Sequence, residues 1–294
     1  MKIYKIFICL FIATLIISCQ MTTLSNRDNL NEEEKNIISN IVSGVSPEIK
    51  ENVRKVNIFK MDDTIIDKAK TEFNMNDSSV IEEYSSKIIK KEGKNIAIDY
   101  IQNSMLYLNS TQNEGEDKLK LSEKISDDIL KVTERKLNNL GIKISGEYEI
   151  ITGYAHIDKI DLNGALIERK ITENIVTYKR TFKGKKIIGH CGILSVNIKS
   201  DGNIKNCYIN WWDSAEITES SPFTKVLSSN DGIEKVNDII NRYKNAGVDE
   251  IKIDSEEQIY SITEKNGEYW LIPCMNVMLN INGQKVSHII NLAE

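Results

Sequence analysis

The chain has 294 residues, 38 basic against 43 acidic side chains, and a formal net charge of −5 at pH 7. That mildly acidic balance, with both signs mixed along the chain, argues against the basic face of a nucleic-acid binder and against electrostatic adhesion to anionic lipid. The length fits one large or two small domains.

Lys2 and Lys5 open the chain, and Ile6 to Ile17 is almost unbroken apolar sequence. A bilayer span needs roughly 20 apolar residues, so this shorter run fits the h-region of an export signal. It ends in Ile16-Ile17-Ser18-Cys19-Gln20. Small Ser18 gives a peptidase access, and Cys19 offers a thiol for a diacylglycerol. The motif resembles the lipobox of bacterial lipoproteins, which implies cleavage of residues 1–18 and palmitate-type lipidation at Cys19. Cleavage removes Lys2 and Lys5 and no acids, so −5 becomes −7. The lipid must then supply the membrane affinity. The expected location is the cell envelope, at the outer membrane in a Gram-negative type of cell because Gln20 rather than Asp follows the cysteine. Residues 19–31 are expected to form a lipidated, flexible tether.

Residues 32–117 read as helical. Ser46-Pro47-Glu48 has the form of a helix start, and Asp62-Asp63 precedes Thr64-Ile65-Ile66 as an N-terminal cap. Val80, Ile81, Tyr84, Ile88 and Ile89 fit one helix face, with Gly93 interrupting. Ser110 to Asp117 is a polar boundary.

Residues 118–229 change rhythm. Leu121, Ile125, Ile129, Val132, Leu137 and Leu140 recur near helical spacing, and Gly141 ends the helix. Strand-like runs follow at 148–157, 175–182, 187–198 and 204–211, with turns at Gly184 and Asp201-Gly202. Residues 230–294 repeat the order: a helix over 232–246 ended by Gly247, then strands with Asn266-Gly267 and Asn282-Gly283 as hairpin turns. The expected fold is α+β: a helical N-terminal region followed by one or two units of a helix packed on an antiparallel β-sheet.

Tyr178-Lys179-Arg180-Thr181-Phe182-Lys183-Gly184-Lys185-Lys186-Ile187-Ile188-Gly189 resembles the core of PepSY-type domains, with Asp201-Gly202-Asn203-Ile204 as the next turn. The resemblance covers about 119–213, with 231–294 as a weaker second copy. Lys186 departs from it, standing where the family has Pro. The resemblance implies an envelope interaction module, or one that binds or restrains a peptidase, and no catalyst.

Few residues offer chemistry. His156, His190 and His288 are the only histidines, and neither His190-Cys191 nor His156-x-Asp158 has paired zinc-ligand spacing. No metal, cofactor or catalytic residue is expected. Asp127-Asp128 lie about 100° apart on a helix, so they form solvated surface rather than a carboxylate pair. Cys191 and Cys207 flank the turn at Asp201-Gly202, which sets residue 207 opposite 196. The cysteines are then about five residues out of register, on the order of 16 Å, too far for a disulfide.

Trp211-Trp212, and Tyr269-Trp270 near Pro273, form the candidate binding surface. Adjacent strand residues point to opposite faces, so one ring of each pair is free to anchor a partner. The balance for Trp211 and Trp212 favours cover on both faces. The expected activity is non-enzymatic: a protein-binding or peptidase-inhibitory module, anchored through its lipid near another envelope protein or peptidase. A small-ligand carrier, or a hydrolase with its site in the helical region, is the alternative.

Overall fold

The computed structural model describes residues 29–111, 116–189, 191–218 and 221–294. Cys19, with the export signal, and His190 lie outside the described residues. Among these residues no helix is long and apolar enough to cross a membrane.

Fourteen described strands make one mixed sheet, and this overturns the α+β expectation of a helical N-terminal region and helix-on-sheet units. The N-terminal region holds helices α1 (Glu32–Ser43), α2 (Ile49–Asn52) and α3 (Asp63–Glu72), with strand β1 (Arg54–Ile58) between the last two. Four strands then follow: β2 (Ser79–Glu83), β3 (Ser86–Lys91), β4 (Lys94–Asp99) and β5 (Ser104–Asn109). The spacing of Val80, Ile81, Ile88 and Ile89 fits a helix, but it arises from two strands of a hairpin, in which Val80 pairs with Ile89 and Ile81 with Ile88. Ile96 and Ile98, then Met105 and Tyr107, are buried at a period of two. Glu92 and Gly93 both take positive φ, as a two-residue hairpin turn requires.

The chain continues through α4 (Asp127–Asn139), β6 (Tyr148–Ile160), β7 (Leu166–Phe182), β8 (Lys185–Ile188), β9 (Ile193–Ile198), β10 (Ile204–Asn210) and β11 (Trp212–Glu216). It ends with α5 (Ser229–Asn245), β12 (Ile251–Lys265), β13 (Glu268–Ile281) and β14 (Gln284–Asn291). The run expected as one strand over 187–198 breaks into β8 and β9 because Gly189, Cys191 and Gly192 all take positive φ. Asn266-Gly267 and Asn282-Gly283 turn β12 into β13 and β13 into β14, again with positive φ at both residues.

The strand order is β11-β1-β13-β12-β8-β7-β9-β10-β5-β4-β3-β2, with β14 beside β13 and β6 beside β7. Every pairing is antiparallel except β8 with β12, which touch through Tyr260–Ile187 and Ser261–Ile188. This short link divides the sheet into two parts. In one, α3 and α4 bury Ile65, Ile66, Ala69, Ile129 and Leu137 against β4, β5, β7, β9 and β10. In the other, α1 and α5 bury Ile38, Val42, Val236 and Ile240 against Met275, Val277 and Leu279 of β13. Each fully buried aliphatic contributes about 1.5–3 kcal/mol, and this burial holds the amphipathic helices in place.

The expected start at Ser46-Pro47-Glu48 falls two residues early, since α2 begins at Ile49 with Glu48 at its N-cap and no side-chain cap; two other caps follow their residue types. Asp62 accepts from the Ile65 amide at 3.0 Å, and Ser126 caps α4. α4 is shorter than the apolar period over 119–140 indicates. Residues 118–122 instead lie along the sheet, with Lys118 and Leu119 amides donating to the Ser200 carbonyl at 2.8 Å and Asn174 Nδ2 donating to Ser122 O at 2.6 Å.

Candidate functional site

The tandem tryptophans lie on the seam between the two parts. Trp211 belongs to the core beneath α3 and α4. Trp212 belongs to a cluster with Val56, Cys191, Tyr260 and Leu271. Trp211 lies between β10 and β11 and Trp212 opens β11; their rings enter different clusters, and both are buried. The guanidinium of Arg180 sits between them, 4.1 Å from the Trp211 ring centroid and 4.5 Å from that of Trp212. Arg180 Nη2 donates to the Trp212 carbonyl at 2.7 Å and to the Asp213 carbonyl at 3.3 Å. Arg180 is 2 % exposed. Burial pulls its pKa down to about 10, opposed by the Asp213 carboxylate, so it stays a cation at neutral pH. Desolvated cation–π contacts are worth about 2 kcal/mol each, and they offset part of the cost of burying this charge.

Two glycines shape the space. A Cβ on Gly192 falls 3.1 Å from Arg180 Cβ and 3.2 Å from Trp212 Nε1, and one on Gly146 falls 2.9 Å from Arg180 Nη1. The aromatic–Arg–aromatic strand marks Arg180 in the sequence. No sequence signal shows that Trp211 and Trp212 close over it, because β7 and β10–β11 are about 30 residues apart.

Trp270 is also buried, edge-on to Phe223 at 6.2 Å between centroids. Tyr269 is half-buried and lines an open groove of 850 Å³ along β1, with Val56, Ile58, Phe59, Met61 and Asp213. Of the four aromatic candidates, then, the structure brings only Tyr269 to a groove. Asp213, at the rim, has its carboxyl pushed up by burial and held back by Arg180.

A second hollow of 340 Å³ lies between α3, β4, β5 and the β9–β10 turn. Three of its four lysines are committed to internal partners: Lys136 to Glu72 at 2.6 Å, Lys94 to the Phe73 carbonyl at 2.9 Å and Lys199 to Asp201 at 3.7 Å.

The side chains with chemical potential are dispersed. No group of three or more His, Cys, Asp or Glu side chains suited to a metal occurs among the described residues. Cys191, Cys207 and Cys274 are free and buried, and Cys207 pairs with Val196 after an irregularity between Ile204 and Asn206. Burial raises their thiols to about 11, 12 and 12, so all three are neutral. His288 Nε2 meets the Tyr243 hydroxyl at 3.1 Å.

The feature that sequence reading missed is the outer half of the β6–β7 hairpin. β9 leaves β7 at Asn174. Beyond it, β6 and β7 continue alone as a two-stranded arm for eight residues of β7, roughly 25 Å at strand rise. Ile157, Ile160, Leu162, Leu166 and Ile167 are all exposed on it, Leu162 completely. Isolated two-stranded ribbons are marginal, and this one carries braces. Arg169 forks onto Asp158 with two bonds of 2.7 Å, and His156 Nε2 lies 3.4 Å from the same carboxylate. At the tip, Asp161 Oδ1 accepts from the Asn163 and Ala165 amides at 2.8 Å, and Gly164 takes φ +83°. The alternation in 158–171 is obscured by Asp158, Lys159, Asp161, Glu168, Arg169 and Lys170. The one local signal is Asp161-Leu162-Asn163-Gly164, a turn sequence.

No protein-family model matches the chain, and no curated protein matches it. Among solved structures it is similar to an uncharacterized protein from Eubacterium rectale ATCC 33656. The TM-score is 0.42 and the identity 12 %, and the match covers 82 % of each chain. A likeness at this level carries no functional argument.

Proposed function

We propose that the chain is a non-catalytic, lipid-anchored cell-envelope protein that binds another envelope protein, and that the β6–β7 arm is the element that reaches it. One observation carries this reading: five large aliphatic side chains are exposed together on a ribbon that is braced from within. Interface cores are built from apolar side chains on well-ordered elements, with a polar rim around them. Asp158, Lys159, Glu168 and Lys170 supply that rim on the arm. The resemblance of 119–213 to PepSY-type domains points to the same class of role, a peptidase being one such partner. The motif at Cys19 supports lipid anchoring, with the tether setting the working distance from the membrane.

The test uses the full chain, tagged and recovered from solubilised envelope, beside a Leu162→Asp/Ile167→Asp variant. The expected result is a specific partner with the wild type that is lost with the variant, at unchanged circular dichroism. Recovery of no specific partner, or equal recovery by both proteins, overturns the reading. Sedimentation of a Cys19→Ala chain with protein-free vesicles, abolished by the same tip substitutions, would assign the tip to lipid instead.

A further inference from the structure

We propose that the outer edge of β6 is a self-association surface: it pairs antiparallel with β6 of a second copy, with Tyr154 of each chain on the two-fold axis. This deepens the binding reading by naming one partner of the same arm, and it rests on that reading.

β6 hydrogen-bonds to β7 on one side only, and over its 13 residues it has no other strand partner among the described residues. Such an edge is a ready template for another strand. The irregularities of the hairpin fall on the other strand: Ala155–Glu173 is followed by His156–Ile171, and Lys159–Glu168 by Ile160–Leu166, so the extra residues are Thr172 and Ile167 of β7. The outward edge of β6 therefore alternates without interruption.

The occupant follows from the order of charges. Antiparallel pairing about Tyr154 sets Glu149 opposite Lys159 twice, Ile151 opposite Ile157 twice, and Gly153 opposite Ala155 twice. All of these lie on one face, because paired residues share a face. An apolar centre is thus closed at both ends by an ion pair. On the other face, Tyr148 meets Ile160, Thr152 meets His156, and Tyr154 meets its own copy. Among the described residues, neither Glu149 nor Lys159 has an ion-pair partner. Asp158, which falls opposite Ile150, is already held by Arg169. Ile150, Ile151 and Ile157 are exposed, so the pairing covers apolar surface.

The other edges lack this symmetry. The charged residues of β2 are Glu82 and Glu83, and those of β11 are Asp213 and Glu216, so neither strand can close a self-pairing with an ion pair. β14 carries Lys285 alone, already committed to Asp254 at 2.8 Å.

Oxidative cross-linking of the full chain in its membrane reads the register directly. A Tyr154→Cys thiol sits opposite its own copy, within the reach of about 7 Å that a disulfide allows. A Thr152→Cys thiol lies four residues from its copy, about 13 Å away. The expected result is a covalent dimer with Tyr154→Cys and none with Thr152→Cys or with the wild type, whose described cysteines are buried. In the Tyr154→Cys background, Glu149→Lys alone should reduce the dimer at least tenfold, and Glu149→Lys with Lys159→Glu should restore it. No dimer with Tyr154→Cys, an equal yield with Thr152→Cys, or no rescue by the double reversal overturns the proposal. A chain that fails here but still captures an envelope protein through Leu162 and Ile167 loses the second copy and keeps the binding reading. Failure of both removes the arm as an interaction element.

Discussion

The seam and the arm invert the usual distribution of side chains in opposite senses. At the seam a guanidinium is buried between two indole faces. On the arm isoleucine and leucine stand in water. Both cost free energy in isolation, since an arginine gives up hydration and exposed aliphatics forgo about 25 cal/mol per Å² of burial. The seam recovers part of its cost inside the chain, through ring faces 4.1 and 4.5 Å away and two carbonyl acceptors, while Arg180 Nε and the indole Nε1 of Trp211 and Trp212 stay buried without a hydrogen-bond partner among the described residues. The exposed aliphatics of the arm recover nothing inside the chain, because among the described residues the neighbouring strand reaches only its base, where Asn197 of β9 donates to Glu173 at 2.6 Å. A region enclosed by its own chain is a structural joint, and one that leaves apolar side chains in water is a contact surface.

That contrast is easiest to break at Arg180. Arg180→Ala should lower the unfolding free energy by about 3 kcal/mol, through the lost packing and the cavity it leaves, measured by urea unfolding. Arg180→Met, which keeps the volume and drops the charge, should cost clearly less. A loss below about 1 kcal/mol for the alanine variant would remove the seam as a joint. Gly192→Ala comes next. It sets a Cβ 3.1 Å from Arg180 Cβ at φ +98°, and it should cost about 1–3 kcal/mol in the same assay.

The arm should respond the other way. Leu162→Asp and Ile167→Asp should leave stability within about 0.5 kcal/mol of the wild type while removing partner capture. A large loss of stability would mean that the tip packs against its own chain. The smallest effect concerns Asp158. Its hydrogen bonds from Arg169 hold its carboxyl below the ordinary value of 3.8. A depressed carboxylate adds order that is fully present above that value and is lost as pH falls through the lowered one. Amide exchange over residues 157–168 should therefore accelerate in acid, relative to the sheet interior. Asp158→Asn should show the faster exchange already at neutral pH.

Legibility varied along the chain with how local the cause was. Asn266-Gly267 and Asn282-Gly283 were readable because a two-residue turn with positive φ is a property of the turn residues themselves. The Cys207–Val196 pairing agrees with a count outward from Asp201-Gly202, but Ile204 pairs with Ile198 and an irregularity between Ile204 and Asn206, which no count shows, brings the register back. Residues 79–109 were misread because Val80, Ile81, Ile88 and Ile89 satisfy a helical spacing equally well. What decides between helix and hairpin is pairing with β10, a strand about 100 residues away. The arm was missed because its strands are charged, and a two-stranded ribbon has no buried face to impose alternation.

The amino-acid order alone therefore determined the cap at Asp62, the glycine turns, the β6 charge pattern and the unusual Tyr178-x-Arg180-x-Phe182 strand, since each depends on residues within a few positions of one another. Folding decided that Trp211 and Trp212 are walls for Arg180 rather than anchors for a partner, and that isoleucines of β6 face water. Both outcomes depend on which strands lie beside β7. Partner choice of that kind is a competition among long-range pairings of similar local strength, and only burial across the whole sheet settles it.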